Sequence, residues 1–322
     1  MTRDPWLAVC GGNAGRAARL ALLVLLTVAG AGVPAQAALT EGPRLAAVYD
    51  TILNAEFDRA DVLLAGACPP APAEACLVFD VVSRWWRIQI NPDTPDRRRQ
   101  DQRFIERAAA ATKAAEAWTK REPQRAEAWF YLAASYAPLV QWQVLQGERL
   151  AAARNGARIR SALERTLQLD PTLADAHFGI GLYEYYADVT SAAGKLLRWL
   201  LFLPGGDRVK GLRQMRQGRN EGVVLRGEAD YQLQIIYLWY EHAPGRAIEV
   251  LRSLDARYPA NPLFLQRIAE IYDTYLHDAQ ASAAAWKALA DRARDNRVYD
   301  AAGTAARAEA KRLAVMARQK NF

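Results

Sequence analysis

The sequence predicts an all-α fold of stacked helix pairs, and three observations predict it. Prolines recur behind apolar helical stretches. Fixed offsets on either side of each proline hold small, apolar or aromatic residues. Alanine, leucine and arginine are abundant, which favours helix. The 322 residues are 51% hydrophobic and 24% charged, a globular composition. The net charge of +7 is scattered rather than blocked. It reads as a solvated helical surface, and no nucleic-acid partner is expected.

From the N-terminus, residues 1–37 read as a signal peptide. Arg3, Arg16 and Arg19 form a basic region, and 20–33 form an apolar run. Ala35-Gln36-Ala37 then places small residues for cleavage before Ala38. The run is short for a membrane span, and an uncleaved anchor is the alternative. Cys10 precedes the apolar run, so it is not a lipid-bearing cysteine that follows one. The mature chain, 38–322, is expected to be periplasmic or secreted. It keeps Cys68 and Cys76, an even count that predicts one disulfide in an oxidising compartment. Two free buried thiols are the alternative.

The helix pairs follow. Pro72, Pro123, Pro171 and Pro259 each end a helix, and Ala60, Ala111, Ile159 and Ala247 stand twelve residues before them. Between them lie Leu64 and Ala67, Ala115 and Trp118, Leu163 and Thr166, and Leu251 and Leu254, all on one helix face. Positions +6, +9, +10 and +13 after Pro72 carry Val78, Val81, Val82 and Trp85. After Pro123 they carry Trp129, Leu132, Ala133 and Tyr136, and after Pro259 Leu265, Ile268, Ala269 and Tyr272. After Pro171 they carry His177, Ile180, Gly181 and Glu184. The small residue at +10 admits a neighbouring helix, and the ring at +13 fills the space between the pair.

This pattern resembles the tetratricopeptide repeat. Residues 129–136, Trp-Phe-Tyr-Leu-Ala-Ala-Ser-Tyr, are similar to its helix A, and 247–259 to its helix B. A further helix B begins at Ala281, 34 residues after Ala247, with Ala285 and Ala288 in register. With Gly211, Met215 and Gly218 read as the fourth helix B, the closing positions Pro72, Pro123, Pro171, Val223 and Pro259 are 51, 48, 52 and 36 residues apart. Three units therefore carry about 15 extra residues each, expected between helix A and helix B near 87–101, 138–150 and 188–205. Residues 181–186, with 203–207 and 211–212, are also similar to the inclusion-body-clearance type of such proteins and its bacterial relatives, a resemblance that implies no enzymatic activity.

The resemblance implies a superhelical solenoid over 38–322, with about six helix pairs and a capping helix near 296–317. It also implies a concave groove faced by set positions of helix A. Phe79, Phe130 and Phe178 hold one of these positions, and Trp86 and Tyr185 another. An aromatic groove suits an extended peptide, a helix or a hydrophobic small ligand. Long insertions folding back over the rings would close it.

Motifs for catalysis are missing. Residues 206–211 have the G-x4-G spacing of a phosphate loop, but Leu212-Arg213 stand where Lys-Ser/Thr should. Asp207 is instead read as a helix N-cap. His177, His242 and His277 form no H-E-x-x-H motif, and no G-x-S-x-G elbow exists. No catalytic residue, metal or cofactor is expected. Glu184 takes a core-tyrosine position and needs a partner, with Arg198 or Arg208 as candidates, unless it contacts a ligand. The apolar run 191–203 is read as packing inside the solenoid; peripheral membrane or partner docking is the alternative.

The function expected is that of an exported binding or scaffold protein offering its groove to a peptide or protein, an envelope protein among the candidates. The alternative is a small-molecule-binding accessory component of a periplasmic solute transporter.

Overall fold

Proline and capping residues punctuate the chain as helix chemistry requires. Pro244 and Pro262 open helices, where a missing amide hydrogen costs nothing. The side chains of Asp207, Asn261 and Asp278 accept the free amides of Lys210, Leu263 and Ala281. A computed structural model describes residues 39–189 and 205–320. Among these residues there are thirteen helices and no strand.

The helices come in pairs. The first pair is α1 (Gly42–Leu53) and α2 (Phe57–Ala67), the second α3 (Ala73–Ile90) and α4 (Arg97–Arg121). Next come α5 (Ala126–Leu145) with α6 (Arg149–Leu169), and α7 (Ala174–Val189) with α8 (Arg208–Glu221). The last two pairs are α9 (Arg226–Trp239) with α10 (Pro244–Arg257), and α11 (Pro262–Thr274) with α12 (Ala279–Arg294). A final helix, α13 (Ala301–Lys320), packs on α12 and α11. Each helix packs on the next in sequence, and α1 on α3 and α3 on α5 besides. This is an all-helical series in which no pair buries its apolar face alone.

The extra residues lengthen helices more than loops. Helices α3 to α6 have 18, 25, 20 and 21 residues, against 14, 14, 13 and 16 for α9 to α12. The breaks are confined to 91–96, which holds Pro92 and Pro95, and to 146–148 around Gly147. The flanking arginine, alanine and glutamine residues favour helix and extend it. Most of the 188–205 insertion lies outside the described residues, as do the 191–203 run, Arg198 and the expected signal peptide. The last helix starts later than 296 because Asn296 and Asp300 take left-handed backbone, φ 55° and 48°. Cys68, directly after α2, is disulfide-bonded to Cys76 in α3, which ties the first pair to the second.

The series curls back on itself. The Tyr258 hydroxyl donates to Asp50 at 2.5 Å, and Asn261 Nδ2 donates to the Leu53 carbonyl at 2.7 Å. Asn54 Oδ1 accepts the Ala260 amide at 3.0 Å, and the Phe57 ring meets Tyr299 edge-on at 5.0 Å. The first pair thus seats against the turn between the fifth and sixth. Helix α9 is enclosed by this winding: from Gly227 to Leu238 it is buried on every face, with only Ile235 part-exposed.

Candidate functional site

Glu228 lies in the first turn of the enclosed helix α9. Around it α1 supplies Tyr49, α3 Phe79, Trp85 and Trp86, α5 Phe130, Tyr131 and Gln141, and α7 Phe178. These side chains line one cavity of about 100 Å³. A water needs roughly 10–15 Å³ of such space, and roughly 150 Å³ accepts benzene, so the cavity as it stands holds a few waters, and a ligand of benzene's size or larger has to spread its walls. Its walls are mostly ring and aliphatic carbon, and no Lys, Arg or His lines it.

The polar groups are few and placed. Glu228 Oε2 accepts the Tyr49 hydroxyl at 2.7 Å, and Oε1 accepts Gln232 Nε2 at 2.7 Å. Trp85 Nε1 donates to Gln141 Oε1 at 3.0 Å. Burial raises the Glu228 carboxyl above its ordinary value; hydrogen bonds from Gln232, Tyr49 and Gln141 oppose this without cancelling it. Burial, then the nearby Glu228, pushes the Tyr49 hydroxyl well up. The Tyr131 hydroxyl is buried and makes no hydrogen bond with the described residues.

Four of the five rings expected to line a groove, Phe79, Trp86, Phe130 and Phe178, meet at this cavity. None is more than 4% exposed, so they face an interior rather than an open channel. The cause is the winding of the chain. Helix α9 fills the hollow, with Tyr231 packed on Trp86 at 4.8 Å and its hydroxyl bonded to Gln89 at 3.0 Å. Tyr185, the fifth ring, does not join them. It is fully buried, its hydroxyl donates to Glu241 at 2.5 Å, and it stands edge-on to Tyr186 and Tyr240.

Glu184 and His177 both have structural partners. Glu184 pairs with Lys210 at 3.0 Å and accepts the Asp207 amide at 3.1 Å, bracing the start of α8. Arg208, an expected partner, bonds Glu241 instead. His177 Nε2 is 3.0 Å from the Pro171 carbonyl, as Trp129 Nε1 is from that of Pro123. Histidine therefore repeats the tryptophan's contact with the closing proline.

Sequence reasoning missed Glu228, Tyr49 and Gln141. A signal exists in Glu228, Asp230, Gln232 and Gln234, which alternate along a helix otherwise apolar and aromatic. Polar groups buried in such a helix need dedicated partners. Among the described residues no group of His, Cys, Asp and Glu is arranged to hold a metal, and no helix is long and apolar enough to cross a membrane. The surface clefts are charged and largely self-paired. In one of them Arg84 pairs with Asp80 and Arg87 with Asp61. The chain matches no known protein-family model and no curated protein.

Proposed function

We propose that the chain is an exported tetratricopeptide-repeat protein that binds a small molecule inside its curled solenoid without transforming it. The carrying observation is the cavity itself: rings spaced one repeat apart in the sequence, Phe79, Phe130 and Phe178, converge on one apolar chamber with a single carboxylate. The registered repeat positions and the serial helix pairs support the repeat family. The basic, apolar and small-residue pattern of 1–37 and the Cys68–Cys76 bond support export to an oxidising, periplasmic or secreted, location. This favours an accessory component for solute handling over a groove that receives a peptide, because the rings are enclosed.

Native mass spectrometry of gently purified protein tests the reading. A small organic molecule released on denaturation is the expected result. Bare polypeptide mass, together with no melting-temperature rise across a library of small apolar and charged solutes, would reject it.

A second reading keeps a protein partner but moves it to the outside. Val144, Leu145, Trp239, Tyr240, Tyr275 and Leu276 are exposed and cluster in sequence at the ends of α5, α9 and α11, each the first helix of its pair. Isolated apolar side chains are common on surfaces, but here they recur at the same end of three first helices. Loss of captured envelope partners from a Trp239→Ser/Tyr275→Ser variant, with normal folding, is the outcome that supports it.

A further inference from the structure

We propose that the chamber selects a small organic cation of the quaternary-ammonium type, set against the Phe79, Trp86 and Phe130 rings and neutralised by Glu228. The inference rests on the reading that the chamber holds a ligand, and adds which chemistry it takes.

Charge balance points first. The other buried acids among the described residues are compensated. Glu127 pairs with Arg125, Glu184 with Lys210, and Asp230 with Arg219 and Arg257. Asp170 accepts the Thr172 amide, and Asp175 accepts the amides of Val223, Val224 and Leu225. Among the described residues Glu228 has neither a cation nor a backbone amide; it has only a phenol and side-chain amides. An ionised carboxylate in such a place is costly unless a positive charge arrives.

Wall chemistry points the same way. Seven rings line the cavity: Phe79, Phe130, Phe178, Tyr49, Tyr131, Trp85 and Trp86. Ring faces attract cations within about 6 Å of their centroids, tryptophan most strongly, and more so when water is excluded. Pro138, also in the wall, lacks the amide hydrogen that would bond the Ala134 carbonyl one turn back. That leaves a helix carbonyl beside the chamber without its usual donor.

The scarcity of acceptors then chooses among cations. A primary ammonium carries three donors, and each needs an oxygen. A calcium ion takes six to eight oxygen ligands. Here both Glu228 oxygens already accept a bond, and Gln141 Oε1 accepts from Trp85. A quaternary ammonium donates no hydrogen bonds, so the rings and one carboxylate satisfy it.

The test compares choline with 3,3-dimethylbutan-1-ol, the uncharged molecule of the same shape, by calorimetry and by the change in intrinsic tryptophan fluorescence. Saturable choline binding at least tenfold tighter than the alcohol is the expected result, with Glu228→Gln, checked for helical content, losing that preference. Equal or tighter binding of the alcohol would overturn the cation inference and leave the small-molecule reading standing. Binding of neither, in a protein that also retains and binds no other solute, would sink both. The wild-type comparison needs no variant, so misfolding of Glu228→Gln cannot hide the answer.

Discussion

Glu228 and Asp175 are both buried acids, and the difference between them lies in what they accept. Asp175 is 2% exposed and takes three backbone amides at 2.8–3.0 Å, those that open the turn from α8 into α9. Asp175→Ala leaves all three donors without an acceptor. Each buried orphan costs about 1–3 kcal/mol, so a loss of at least ~3 kcal/mol is expected in urea unfolding, with Asp175→Asn losing less. Burial raises both folded pKa values, that of Asp175 in spite of its amides, and Glu228, which has no such ring, lies above the ordinary 4.5. For an acid shifted upward, the neutral form favours folding. That contribution is complete in acid below the unfolded value and is lost as pH rises through the folded value. Ligand-free Glu228→Gln is therefore expected to melt above wild type at neutral pH, with the two curves converging below about pH 4.5. Parallel curves at every pH would mean that the carboxylate is not desolvated. Saturation with a cationic ligand should narrow or reverse the neutral-pH gap, because only the wild type gains the ion pair.

Among the elements, the crossing of α7 and α8 is the tightest described. A Cβ on Gly181 would stand 2.6 Å from the Gly211 carbonyl oxygen, and one on Gly211 would stand 2.6 Å from that of Gly181. Backbone meets backbone there, so neither side can yield by turning a side chain. Gly211→Ala is expected to cost about 1–3 kcal/mol and to leave helical content nearly unchanged, as read by circular dichroism across a denaturant series. This contact was legible in the sequence, because Gly181 holds the +10 position where each pair needs a small residue. So were the helices packed in series and the Cys68–Cys76 bond, since prolines and short spacings act locally. Helix lengthening was not legible from spacing, because an insertion of fixed length says nothing of whether its residues extend a helix or loop out. The chamber was half legible. Phe79, Phe130 and Phe178 recur at one position and announce a shared surface. Glu228 repeats the first-turn acids Glu127 and Asp175, so nothing local marks it as the one without a cation or a backbone amide, and Tyr49 reaches it from 179 residues away.

At the scale of the whole described unit, a helical series with only neighbour contacts unfolds piecewise from its ends. This one is tied between its first pair and the turn after its fifth. Asn261 is the central tie. It is fully buried, its Oδ1 caps the Leu263 amide at 3.0 Å, and its Nδ2 reaches the Leu53 carbonyl at 2.7 Å. The two roles separate by substitution. Asn261→Ser keeps an oxygen for the helix cap but abandons Leu53, whereas Asn261→Ala loses both. Leaving the Leu53 carbonyl buried and unbonded costs about 1–3 kcal/mol, and a lost cap adds roughly 1 kcal/mol. The serine variant should therefore lose most of what the alanine variant loses. It should also change the manner of unfolding. In wild type, amide exchange in α1 should slow to the rate of α9, since Tyr49, Leu53 and Asp50 join the two ends of the winding. In Asn261→Ser, α1 should exchange faster while α9 to α11 hold, and the Glu228 chamber should lose ligand affinity with it, because α1 supplies Tyr49. Uniform acceleration of every helix would mean that the curl is one cooperative block with no separable clasp.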